Sequence, residues 1–157
     1  VQGLGDPNYA YSLLKQYKGE WEFDTNWKMI FGHPKKAGWI KAIQEAQQTV
    51  QKGLKLDCPI LVMSSNKSFP ETETWHEEYM TSDIVLDVQD IQKYGEKQGD
   101  KVTRDTIPNG IHDLILSQKP YRNDAYQTIF EWLKKQQWLH QTYKSLPLRP
   151  DKTFIYT

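Results

Sequence analysis

An α/β fold with parallel strands is what this sequence predicts, on the strength of two strand-like runs and the helical stretches around them. Pro59-Ile60-Leu61-Val62-Met63 is a short, continuous apolar run with β-branched members. Its length favours a strand buried on both faces, as in parallel sheets. Val102 to Ile107 reads as a second strand, broken by Pro108-Asn109-Gly110. The order helix, strand, helix, strand, loop, helix is that of an α/β domain. Two strands cannot complete such a fold, because each parallel strand needs neighbours and covered faces. Part of the sheet is therefore expected upstream of Val1, in keeping with a chain that does not begin with Met.

The helices follow from spacing and punctuation. A short helix is expected around residues 8–17, inside an aromatic-rich stretch that holds Tyr9, Tyr11, Tyr17, Trp21, Phe23, Trp27 and Phe31. Pro34 suits a first-turn position, where its missing N–H would have had no partner. Trp39, Ile43, Ala46 and Val50 then fall on one face, and Gly53 supplies a stop. A helix over about residues 35–51 results. Residues 64–82 are polar and irregular, a loop with a helical turn near Glu77. Asp87 is positioned to cap a helix from Val88 to about Lys97, with Asp90 in its first turn and Gly99 just past its end. A last amphipathic helix starts near Pro120 and carries Ala125, Ile129, Trp132 and Leu133 on one side. After His140 the chain turns Pro-rich and extended. The expected organisation is a covering region over 1–54, a core over 55–140 and an extended tail over 141–157.

Composition narrows the function classes. The 157 residues carry 20 Lys plus Arg against 20 Asp plus Glu, so net charge is zero. Nothing electrostatic calls for nucleic acid or an anionic membrane surface as partner. No stretch approaches the roughly 20 apolar residues of a membrane-spanning helix. Aromatic residues make up 13% of the chain, a density that suits an ordered protein. Cys58 is the single cysteine, so no internal disulfide can form, and it reads as a small buried hydrophobe. That usage fits a reducing compartment, and the expected location is the cytoplasm.

In open α/β sheets, catalytic groups collect beyond the carboxyl ends of the strands. One such place follows Met63 and leads to Asp83-Ile84-Val85; the other follows Ile107 and holds Gly110-Ile111-His112-Asp113. These segments resemble the acid and histidine segments of the α/β-hydrolase fold, in the lysophospholipase-like and monoacylglycerol-lipase-like branch of serine hydrolases. In that family a D-x-V pattern follows the penultimate strand and a G-x-H-D pattern the last one. Gly19-Glu20-Trp21, Trp27-Lys28 and Ala37-Gly38-Trp39-Ile40 are similar to the cap region of bacterial members. The resemblance runs over about residues 10–138. It implies that the chain is the C-terminal part of an α/β-hydrolase fold: cap helices, the last two parallel strands and their flanking helices.

The resemblance further implies Asp83 as the triad acid and His112 as the triad base, acting on carboxylic esters of lipid-like or small acyl type. The triad order is serine, acid, histidine, so the nucleophile is expected before residue 1, in an N-terminal half of the same domain. None of Ser12, Ser64, Ser65, Ser68, Ser82, Ser117 or Ser145 sits in a G-x-S-x-G elbow. By itself this chain is then expected to be inactive. Ser64 or Ser65, at a strand end, is a weaker substitute, because nothing there supplies an elbow.

Residues 64–82 separate Asp83 from its strand by more than is usual in the family. Asn66 stands nearer, but an amide cannot stabilise an imidazolium by charge. Asp87 is the fallback acid, although it reads first as a helix cap, and Asp113 reads as a turn or cap residue. Trp21, Trp27 and Trp39 are candidates to line an apolar substrate pocket, against ordinary packing as the blander reading. His33 reads as a loop residue, and His140 as the end of the last helix. His76 has no second histidine at ligand spacing, so a zinc site is not expected. Gly3-Leu4-Gly5 is too short for a phosphate-binding fingerprint, and no cofactor is implied. The alternative to the enzyme is a non-catalytic binding module that keeps the hydrolase scaffold.

Overall fold

The computed structural model describes residues 7–32 and 34–136. Expectations about Gly3-Leu4-Gly5, His33, His140 and the tail 141–157 fall outside these residues. The described part is mixed α/β, with four α-helices and a two-stranded parallel sheet. Helix α1 spans Asn8–Leu13 and α2 spans Ala37–Lys52. Strand β1 (Ile60–Ser65) leads through a long excursion to α3 (Val88–Gly95), then β2 (Val102–Ile107) and α4 (Lys119–Lys135). Among the described residues no helix is long and apolar enough to cross a membrane.

The two strands pair in register from Ile60 opposite Val102 to Ser65 opposite Ile107. Side chains alternate between the faces of a strand, so Leu61, Met63 and Thr103 share one face and Val62 and Arg104 the other. Helix α4 covers the first face: Ile129 lines a hollow with Leu61 and Met63, and the Trp132 indole donates to Thr103 Oγ1 at 3.1 Å. Helix α3 covers the second. Gly95 approaches so closely that a Cβ there would stand 2.7 Å from Val62 Cγ1. Arg104 pairs with Glu96 at 2.9 Å on the same side. Helix α2 lies beside α3, where the Gln98 side chain donates to the Val50 carbonyl at 2.8 Å.

Several sequence expectations shift at this level. Helix α1 ends at Leu13, not near residue 17, because Lys15 and Trp21 turn back to bond the same short segment, Lys15 N–H to Trp21 carbonyl and Trp21 N–H to Leu13 carbonyl. The strands are not buried on both faces. β1 is half-buried over Ile60–Met63 and β2 is exposed at Thr103–Thr106, since each has one neighbour and one open edge. The apolar stripe of α2 is likewise only partly covered, with Trp39, Ile43 and Val50 exposed. Cys58 is exposed, not buried, because it precedes the strand in the turn leading to β1. Asp87 does cap α3, its carboxylate accepting from the Gln89 N–H at 2.8 Å.

The excursion between β1 and α3 has its own small core. Tyr79, in the short 3₁₀ turn Glu77–Met80, is 0% exposed. Phe69, Trp75 and His76 pack around it with ring centroids 5.4–5.9 Å apart. Its hydroxyl accepts from the Thr72 N–H at 2.8 Å. Tyr79→Ala is expected to lower unfolding stability by about 3 kcal/mol, the usual cost of deleting a buried aromatic ring. Urea titration of parent and variant would measure it, and a difference under about 1 kcal/mol would contradict this packing.

Candidate active site

Asp83 reaches the end of β1 through space, not through sequence. Its N–H donates to the Lys67 carbonyl and its carbonyl accepts from the Phe69 N–H, both at 3.0 Å, so residues 67–69 and Asp83 form a short parallel bridge. Residues 70–82 leave the strand end and return to it. The long separation noted in the sequence is therefore an excursion hung on a closed neck. Ser68 secures that neck from the other side, donating to the Leu86 carbonyl and accepting from the Val88 N–H, each at 2.9 Å.

His112 arrives from β2 by a tighter route. Gly110 N–H bonds the Ile107 carbonyl at 3.1 Å, and Asn109 takes a left-handed φ of 60°. A side chain at Gly110 would meet Leu114 Cδ2 at 2.6 Å, so the turn needs the glycine. Ser117 Oγ accepts from the buried Ile111 N–H at 3.0 Å and fixes the far side of the loop. The two strand-end loops are tied directly, since Asn66 Oδ1 accepts from the Asn109 N–H at 2.9 Å. That is the work Asn66 does.

The result is a dyad. His112 Nδ1 lies 2.9 Å from Asp83 Oδ2. Asp83 is 1% exposed, and its second oxygen, Oδ1, accepts from the Val85 and Leu86 N–H groups at 2.8 Å each. With both oxygens engaged, the carboxylate cannot swing away from the imidazole. The side chain of His112 is 27% exposed, and Nε2 has no hydrogen-bond partner among the described residues.

Burial opposes ionisation of Asp83, but the hydrogen bonds from His112, Leu86 and Val85 outweigh it and hold its pKa below the ordinary carboxylate value. The hydrogen bond to Asp83 raises the His112 pKa; burial works against it, the charges of Asp83 and Asp113 add to it, and Lys28 subtracts. The signs define a window. A lowered acid stabilises the fold above its unfolded value and loses that contribution as pH falls through its folded value; a raised histidine does so below its unfolded value and loses it as pH rises. Both contributions are complete between the ordinary values of 3.8 and 6.5. The stability difference between the parent and His112→Gln should therefore be largest across that interval and shrink on either side. A difference that grows steadily above neutral pH in thermal melts would be incompatible with the dyad.

The remaining candidates fall into place around it. Ser64 and Ser65 are buried within β1; the Ser64 hydroxyl donates to the Ser65 carbonyl and accepts from Gln92, an engagement unlike that of a nucleophile. Trp21 and Trp27 line one hollow of about 400 Å³ with Phe23 and Leu116, whereas Trp39 stands 54% exposed on α2 and is not among its walls. Trp27 is 85% exposed, and the Trp21 indole donates to the Leu116 carbonyl at 2.8 Å. Leu116 also borders the hollow of about 440 Å³ next to His112. Asp113 precedes the short 3₁₀ turn Leu114–Leu116, but its carboxylate does not cap it. It accepts instead from the Tyr9 hydroxyl and pairs with Lys28 at 3.5 Å. Sequence reading gave Tyr9 and Lys28 no role at the site, since no spacing links them to residue 112. Among the described residues no group of three or more His, Cys, Asp or Glu could hold a metal ion.

Comparison with protein-family models, with curated proteins and with solved structures finds no match to this chain.

Proposed function

We propose that this chain is the C-terminal portion of a serine-type α/β-hydrolase acting on carboxylic esters, in which Asp83 and His112 are two members of the catalytic triad. The observation that carries the reading is the buried, doubly anchored Asp83 carboxylate held 2.9 Å from His112 Nδ1, at the ends of two adjacent parallel strands. A triad needs that arrangement, because fixing Nδ1–H on the acid leaves Nε2 as the base. His112 would take the proton of the attacking serine and return it to the leaving alcohol. Asp83 would hold the tautomer and stabilise the imidazolium.

Half-buried strands with open edges support the same reading, since an upstream part of the domain would complete the sheet and supply the serine and oxyanion hole. The apolar walls near His112 (Leu114, Ile115, Leu116) and the Trp21–Phe23–Trp27 hollow suit the acyl part of an ester. The test is a serine-directed covalent probe applied to the polypeptide that contains the upstream half. Labelling that requires His112 supports the enzyme. No labelling, with no G-x-S-x-G motif upstream, leaves the scaffold as a binding module. The 157-residue chain by itself should not hydrolyse esters, and turnover by it would overturn the assignment of the nucleophile.

A further inference from the structure

One hydrogen bond does not fix an imidazole. Held only at Nδ1, the His112 ring can still pivot about the contact with Asp83 and carry Nε2 away from any reacting group. A second contact is present. The Tyr9 ring meets the His112 ring edge-on, with centroids 6.1 Å apart and planes at 76°. This lies in the range where aromatic edges and faces attract.

Tyr9 is itself held from two sides. Its hydroxyl donates to the carboxylate of Asp113, the residue next to His112. Lys28 Nζ lies 3.5 Å from the same carboxylate oxygen and 5.4 Å from the centre of the Tyr9 ring. Further along, Trp21 bonds the Leu116 carbonyl at 2.8 Å and the Arg122 guanidinium stacks 4.7 Å above the Trp21 ring. Glu20 pairs with Arg122 at 3.3 Å. Residues 9–28 are thus strapped across the loop that carries the histidine, through Asp113 beside it, Leu116 further on and Arg122 on α4.

We propose that Tyr9 is a positioning residue for His112, held against the imidazole by Asp113 and Lys28. The inference rests on the hydrolase reading only for what the positioned ring is used for. Burial and the neighbouring Asp113 carboxylate keep the Tyr9 phenol protonated far above its ordinary value, so it remains a donor at all working pH. The groups facing His112 are then two carboxylates, Asp83 and Asp113, one ammonium, Lys28, and a neutral phenol.

NMR of the His112 ring tests this without turnover, by following the Nδ1–H signal and its exchange with water. Tyr9→Phe keeps the ring and loses the tether to Asp113, and should speed that exchange about threefold, the low end of a net hydrogen bond. Tyr9→Leu loses both and should speed it about tenfold. Asp113→Asn keeps only a weaker, neutral acceptor for the Tyr9 hydroxyl, so it should speed exchange by less than Tyr9→Phe, and it should lower the His112 pKa by removing a negative charge. Unchanged exchange in both Tyr9→Phe and Asp113→Asn overturns the proposal, even if Tyr9→Leu fails to fold. Asp83→Asn is the control: a signal that survives it means that no dyad exists, and both the positioning role and the triad fall. A signal lost in Asp83→Asn but indifferent to Tyr9 removes the Tyr9 role alone. Faster exchange in the Tyr9 variants, with no serine-probe labelling, upholds the positioning role and removes the hydrolase.

Discussion

On the hydrolase reading, replacing His112 by alanine in the polypeptide that contains the upstream half is expected to abolish labelling by a serine-directed probe and to cut ester hydrolysis by about 10⁶-fold, the scale of losing a triad base. Nδ1 is committed to Asp83, so Nε2 is the ring atom left to accept the serine proton. A methyl group accepts none, and at neutral pH an unassisted serine hydroxyl is a poor nucleophile. The variant also strips a buried carboxylate oxygen of its partner, so its stability should drop as well. Activity must therefore be read well below the variant's own melting temperature. Undiminished labelling there would rule His112 out as the base.

Asp83→Asn should cost about 10⁴-fold in rate while leaving the fold nearly intact, through a tautomer reversal that the geometry dictates. Oδ1 of Asp83 receives two backbone N–H groups, from Val85 and Leu86. An asparagine must keep its carbonyl oxygen there, because an amide nitrogen would meet those donors with donors of its own. The amide nitrogen is then forced into the Oδ2 position and points an N–H at His112 Nδ1. The imidazole has to accept at Nδ1 and carry its proton on Nε2, the wrong nitrogen for a base. The acidic limb of the rate profile moves too. In the parent it is expected above the ordinary histidine value, because the hydrogen bond to Asp83 raises the His112 pKa; the neutral amide removes that cause, and the limb should shift downward. A rate loss under about tenfold, or a limb that does not move, would mean that Asp83 is not the acid.

Much of this site was legible in one dimension because its parts sit on local signals. Strand β2 was read with its observed bounds, since a β-branched run ending in Pro-Asn-Gly has few other options. The Asp87 cap and the turn at Glu77 were likewise local matters. Asp83 and His112 stood out through short patterns after strand-like runs. Burial was legible only in part. The open edges of the two strands and the exposed stripe of α2 depend on what packs against them, which hydropathy alone does not encode.

What the sequence by itself determined is the alternation of elements and the choice of Asp83 and His112 as candidates, because period, punctuation and short motifs are properties of neighbouring residues. Only the tertiary structure decided that Asp83 returns to the end of β1 through the Lys67–Asp83–Phe69 bridge. It also brought Tyr9 and Lys28, from the far end of the chain, to the loop of His112. Contacts between residues so distant in sequence form where packing and hydrogen bonding close the loops between them, and no local spacing records where that happens.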